Sequence, residues 1–86
     1  MNDKMVFNGK YFCIYEYIIK NQKTPILRIF SKNGISSFLG EIKWYGAWRK
    51  FCFFPHDNTI WDNKCLNDLT EFLKNYNRKW KESKTE

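Results

Sequence analysis

An α+β fold, a four-stranded antiparallel β-meander packed on one C-terminal helix (ββββα), is predicted by three features of the chain. Runs rich in aromatic and β-branched residues fill residues 10–54. Glycine-bearing turn sequences separate the later runs, and after Pro55 the apolar spacing lengthens from two residues to three or four. The chain has 86 residues, which makes one domain, 1–86, able to bury only about 60% of the surface its unfolded form exposes.

Each element follows from its residues. KYFCIYEYIIK, residues 10–20, has the chemistry of a strand, and Asn21 to Pro25 breaks it. Residues 26–32 read as a second strand. Asn33-Gly34 then signals a two-residue hairpin, since both residues tolerate the positive φ of a type I′ turn. Residues 35–45 form the third strand, Gly46-Ala47 suit a type II′ turn, and residues 48–54 form the fourth strand, ended by Pro55. Beyond it Cys65, Leu66, Leu69, Phe72, Leu73, Tyr76 and Trp80 make one stripe of a helix over residues 63–80, and residues 82–86 read as a polar tail. Asp62 is placed to cap this helix, with Trp61 and Leu66 as a hydrophobic staple.

Those turns imply a register. Tyr45 would face Trp48, Lys43 would face Lys50, Ile42 would face Phe51 and Gly40 would face Phe53; Ile29 would face Phe38, Leu27 would face Gly40 and Arg28 would face Leu39. Period-two alternation then gives a core face of Leu27, Ile29, Phe38, Ile42, Trp44, Phe51 and Phe53, with Gly40 making room for a ring from the helix. The opposite face carries Arg28, Phe30, Lys32, Glu41, Lys43, Tyr45, Trp48, Lys50 and Phe54, with Leu39 and Cys52 between them. One helix cannot cover both faces of a four-stranded sheet. Rings such as Phe30, Tyr45, Trp48 and Phe54 form a larger apolar patch than a small monomer leaves exposed without use.

Charge concentrates on the same segment. The formal net charge is +6, and residues 20–50 supply all of it through Lys20, Lys23, Arg28, Lys32, Lys43, Arg49 and Lys50 against Glu41 alone. Such a field attracts nucleic acid, an anionic membrane surface or an acidic protein, and equally serves solubility. The three cysteines, Cys13, Cys52 and Cys65, are odd in number and lack a CxxC pair, which points to small apolar residues in a reducing cytoplasm. No run of the sequence approaches the roughly 20 apolar residues of a membrane helix, so a cytoplasmic protein without a membrane partner is expected.

Signs of catalysis are sparse. His56 is the single histidine, and neither a second one nor metal-ligand spacing accompanies Cys52, Cys65 or Asp57. The sequence has no phosphate-binding or dinucleotide glycine motif. The expectation is a non-enzymatic protein with no catalytic residues, no metal and no cofactor. Its binding residues would be Arg28, Phe30, Lys43, Tyr45, Trp48, Lys50 and Phe54. Stacking rings beside cations suit single-stranded DNA or RNA, although no familiar nucleic-acid module is present. Tyr, Trp, Phe and Arg are equally the residue types of protein interfaces, and a free edge strand offers a further route by β-augmentation. A second copy of the chain is among the candidate partners.

GEIKWYGAWRKFCFFP and the following NKCLNDLTEFLKNYN resemble small uncharacterised proteins of phages and other mobile elements, over about Leu39 to Tyr76. The resemblance carries no established activity. It implies a setting in which small proteins act by binding, including inhibitors of host defences such as CRISPR-Cas complexes and single-strand-binding factors. Taken together, the sequence predicts an accessory protein of the anti-defence type that modulates or inhibits a host protein or nucleoprotein through the basic aromatic face. Single-stranded nucleic-acid binding by that face is the alternative.

Overall fold

The computed structural model describes residues 2–32 and 37–83. It contains one antiparallel sheet of five strands in sequential order, followed by one helix: β1 (Asn2–Asn8), β2 (Phe12–Ile18), β3 (Ile26–Ser31), β4 (Phe38–Tyr45), β5 (Lys50–Pro55) and α1 (Asn63–Ser83). The α+β class and the four expected strands are present, but the sheet has a fifth strand. β1 pairs with β2 along its length, with a bulge between Met5 and Phe7. Its sequence, NDKMVFN, has only three apolar residues in a row and none of the alternation that marks a half-buried strand.

The β4–β5 hairpin takes a longer turn than expected, which shifts its register by two residues. Tyr45 pairs with Lys50, Trp44 with Phe51, Lys43 with Cys52 and Ile42 with Phe53. The turn between them uses residues 46–49, where Trp48 N–H donates to Tyr45 O and Arg49 N–H to Gly46 O, at 3.2 and 3.3 Å. Arg49, at φ +54°, takes the left-handed conformation expected of Gly46 in a type II′ turn. Leu27 likewise pairs with Ile42, Arg28 with Glu41 and Ile29 with Gly40. The expected Asn33-Gly34 turn lies outside the described residues. A two-residue shift leaves every side chain on its original face, so the division into core and open faces survives.

One exchange of faces does occur. Between Ile29 and Phe30 the β3–β4 register slips by one, so Phe30 pairs with Phe38 and Leu39 becomes the additional residue of a bulge. Phe38 therefore joins the open face, its ring 5.8 Å from that of Phe30, while Leu39 packs on the core. Gly40 follows at φ +150°, a conformation that favours glycine, and makes room for its strand neighbours rather than for a helix ring. A Cβ there would lie 2.7 Å from Phe54 O and 2.8 Å from the Phe53 ring.

The core is built from Phe12 and Ile14 of β2, Leu27 and Ile29 of β3, Ile42 of β4, Phe51 of β5 and Leu69 of α1, all buried. Helix α1 lies on this face. Asp62 caps it as expected, its Oδ1 accepting from Cys65 N–H at 2.9 Å, and that bond holds the Asp62 carboxyl below its ordinary range. The helix runs to Ser83, three residues past its expected end. Leu66 is exposed, whereas Trp61 packs its ring on Phe12 and Phe53 instead of serving the expected staple.

Two polar contacts pin the helix down. The Asn77 side chain pairs with Phe51 in both directions, Oδ1 accepting from Phe51 N–H at 2.8 Å and Nδ2 donating to Phe51 O at 3.0 Å. The Tyr76 hydroxyl donates to Glu16 Oε2 at 2.6 Å, joining α1 to β2. Burial, reinforced by the Glu16 hydrogen bond and charge, pushes the half-buried Tyr76 phenol well above its ordinary range. Below that ordinary range, near pH 10, both folded and unfolded chains keep the proton and the contribution is constant. Above it the unfolded chain releases the proton first, so stability falls as pH rises. Tyr76→Phe should lower the unfolding free energy at neutral pH by about 1–3 kcal/mol and remove part of the loss above pH 10. Urea unfolding of both chains at neutral and alkaline pH reads both effects.

Candidate open-face binding site

The sheet face turned away from α1 gathers all seven expected binding residues. Strand alternation puts Arg28 and Phe30 of β3, Lys43 and Tyr45 of β4, and Lys50 and Phe54 of β5 on this side, and the 46–49 turn presents Trp48 at its end. Trp48 is 66% exposed, the largest exposure of any aromatic residue among those described. Its ring meets Tyr45 edge to face at 5.1 Å, and Tyr45 in turn meets Phe54 at 6.2 Å. The Lys43 ammonium lies 4.7 Å from the centre of the Phe54 ring, within cation–π range.

A second row of rings extends the face across the sheet. Tyr15 of β2 touches Phe30 at 6.1 Å, Phe38 continues the row, and His56 closes it at 5.1 Å from Phe38. The Arg28 guanidinium lies 5.3 Å from the centre of the Tyr17 ring. Tyr15, Tyr17 and Phe38 escaped sequence reasoning. The two tyrosines alternate with Ile14 and Glu16, a pattern readable in the sequence, but Phe38 depends on a bulge that no local signal marks.

Glu41 sits between the two rows and meets both central cations, Lys43 Nζ at 3.3 Å and Arg28 Nε at 3.8 Å. The expected cross-strand clash of Lys43 with Lys50 is absent, because the shifted register places Cys52 opposite Lys43 and Tyr45 opposite Lys50. Lys32, expected on this face, instead ties the β1–β2 turn, donating to Asn8 Oδ1 at 2.6 Å and Gly9 O at 2.9 Å. The centre of the face therefore carries one net positive charge, and the cations without an ion pair among the described residues, Arg49 and Lys50, lie at the Trp48 end.

The other chemical candidates stay separate from this face's centre. His56 is exposed, and its backbone N–H donates to Leu39 O at 3.0 Å. All three cysteines are free thiols, and burial together with Asp62 pushes the Cys65 thiol up, the unfavourable direction for a nucleophile. Among the described residues, no group of three or more His, Cys, Asp or Glu side chains could hold a metal ion, and no helix is long and apolar enough to cross a membrane.

Comparison with known proteins gives one informative similarity. An uncharacterised 9.3 kDa protein of Acholeplasma phage L2 is 38% identical over 52 residues, covering 60% of this chain and 65% of the phage protein. The match thus leaves about a third of that relative's length unaccounted for. No protein-family model matches the chain, and no solved structure matches it significantly.

Proposed function

We propose that this chain is a phage accessory protein that binds a host protein or nucleoprotein through its open sheet face, modulating or inhibiting the target without catalysing a reaction. The carrying observation is that face itself: Trp48, Tyr45, Phe54, Phe30 and Phe38 on the side α1 leaves uncovered, with Arg28 and Lys43 between them. Trp, Tyr and Arg are the side chains that most often anchor protein interfaces. Similarity to a small protein of Acholeplasma phage L2 supports the phage setting, and an anti-defence role of the anti-CRISPR type is the finer reading of that setting.

The charge pattern favours a protein surface over a bare polyanion. A phosphate track needs consecutive uncompensated cations, whereas Glu41 lies within ion-pair distance of both Arg28 and Lys43 and offsets one of their two charges. Exposed Trp48 beside Arg49 and Lys50 supports the second reading, stacking of single-stranded nucleic acid at that one end of the face. Two measurements separate the readings. A photo-reactive benzoylphenylalanine in place of Trp48 should cross-link to a protein of defined mass in host lysate, while the same group in place of exposed Ile60 should not. Labelled single strands at low salt should bind weakly, and Trp48→Ala should change that binding by less than about threefold. A steep loss of oligonucleotide affinity with salt, abolished by Trp48→Ala, would instead establish the nucleic-acid reading.

A further inference from the structure

A concavity that shares Trp48 and Lys50 with the end of the open face runs between β5 and α1, with a volume of about 1130 Å3. Trp44, Phe53, Leu73 and Trp80 give it an apolar lining. Its rim carries Arg49 from the hairpin turn, Lys50 from the start of β5 and Lys74, Arg78 and Lys81 from the helix, and no acidic residue among those described lines it. Arg78 also meets Glu82 at 3.6 Å, an exposed i,i+4 pair of the weak kind.

The groove also borders an unextended sheet edge, since β5 ends the strand order. Phe51 directs its N–H and C=O away from β4, to Asn77. By strand alternation the N–H and C=O of Phe53 turn the same way, towards the groove, while Pro55 has no N–H to offer. Main-chain pairing is thereby confined to the stretch between Asn77 and Pro55.

We propose that this groove binds an acidic, extended peptide segment of a partner protein laid along β5. The chemistry is complementary on three counts. Cations on both walls select carboxylates, the apolar lining accepts alternate side chains of an extended strand, and Phe53 supplies the main-chain pairing. Size agrees as well. From Thr70 to Lys81 the helix rises about 16 Å at ~1.5 Å per residue, room for about five extended residues at ~3.3 Å each. Of the three tryptophans that line the groove, Trp44 and Trp80 meet Phe51 edge-on, at 5.3 and 5.1 Å, and are engaged in core packing, which leaves Trp48 as the exposed ring on which a base could stack, against several for an oligonucleotide track.

This site does not depend on the open-face reading, and its test keeps the two apart. The probe is a fluorescein-labelled hexapeptide alternating glutamate with leucine and phenylalanine, titrated with the full chain at low salt and followed by anisotropy. Saturable binding is expected, weakened at least about tenfold by combined Lys74→Glu and Arg78→Glu and changed less than about twofold by Arg28→Glu on the open face. Circular dichroism verifies that each variant is folded. Absence of saturable binding, or binding indifferent to the double reversal, overturns the proposal. So does an oligothymidylate that binds in a reversal-sensitive manner while the peptide does not.

Discussion

Phe51→Ala should lower the free energy of unfolding by about 3–5 kcal/mol, the largest loss expected from a single substitution in this chain. Phe51 is fully buried, and its ring meets Trp44, Tyr76 and Trp80 at 5.3, 5.0 and 5.1 Å, all close to edge-on. Truncation removes the transfer free energy of the ring and leaves a cavity that three large rings, fixed on β4 and α1, cannot easily refill. It also loosens the strand that Asn77 grips through the Phe51 main chain. A whole domain is stable by only about 5–15 kcal/mol, and one of 86 residues lies towards the lower end. Urea unfolding followed by tryptophan fluorescence should therefore show a transition moved close to zero denaturant. A loss below about 1.5 kcal/mol, the size of a conservative core change, would mean that the ring cluster does not hold the helix to the sheet.

Gly40→Ala should cost about 3 kcal/mol, combining backbone strain with overpacking. At φ +150° glycine is favoured, and an added Cβ would approach Phe54 O at 2.7 Å and Pro55 Cα at 3.0 Å. Both are backbone atoms, so no rotamer change relieves the contact; β5 must move. Gly46→Ala is the matched control, because a Cβ at Gly46 meets nothing within 4 Å. Its effect should stay within about 0.5 kcal/mol. The contrast also bears on the binding surface, since Gly40 follows directly on the bulge that turns Phe38 outward. Loss of the bulge would return Phe38 to the core side and break the row of rings with Phe30 and His56.

Most of this architecture is legible in the residues, for a physical reason visible in its failures. The β4–β5 register, and the β3–β4 register from Leu27 to Ile29, depart from the expected ones by two, and an even shift cannot move a side chain to the other face; hence Arg28, Lys43, Tyr45 and Phe54 lie where alternation puts them. Only the one-residue slip at Leu39 exchanges faces, and it depends on the tertiary fit of Gly40 against β5 rather than on local propensity. Strand β1 is missed because Asn2, Asp3, Lys4 and Asn8 carry little strand propensity, its pairing with β2 being decided outside the segment. The cationic groove was hidden for another reason. Charge counted along the chain balances to zero beyond residue 50, and only folding sets Lys74, Arg78 and Lys81 beside Arg49 and Lys50. Their i, i+4, i+7 spacing was the available sign.

Affinity capture from nuclease-treated host lysate, comparing the wild-type chain with a Trp48→Ala, Lys43→Glu variant, most directly probes the open face. Both side chains are at least partly exposed, so the variant should unfold within about 1 kcal/mol of the wild type, and any loss of capture then reports on binding. The predicted result is a host protein retained in stoichiometric amount by the wild type and reduced at least about tenfold by the double variant. Equal retention by both chains, or recovery of the wild-type chain with no partner, would contradict the assignment of that face as the binding surface.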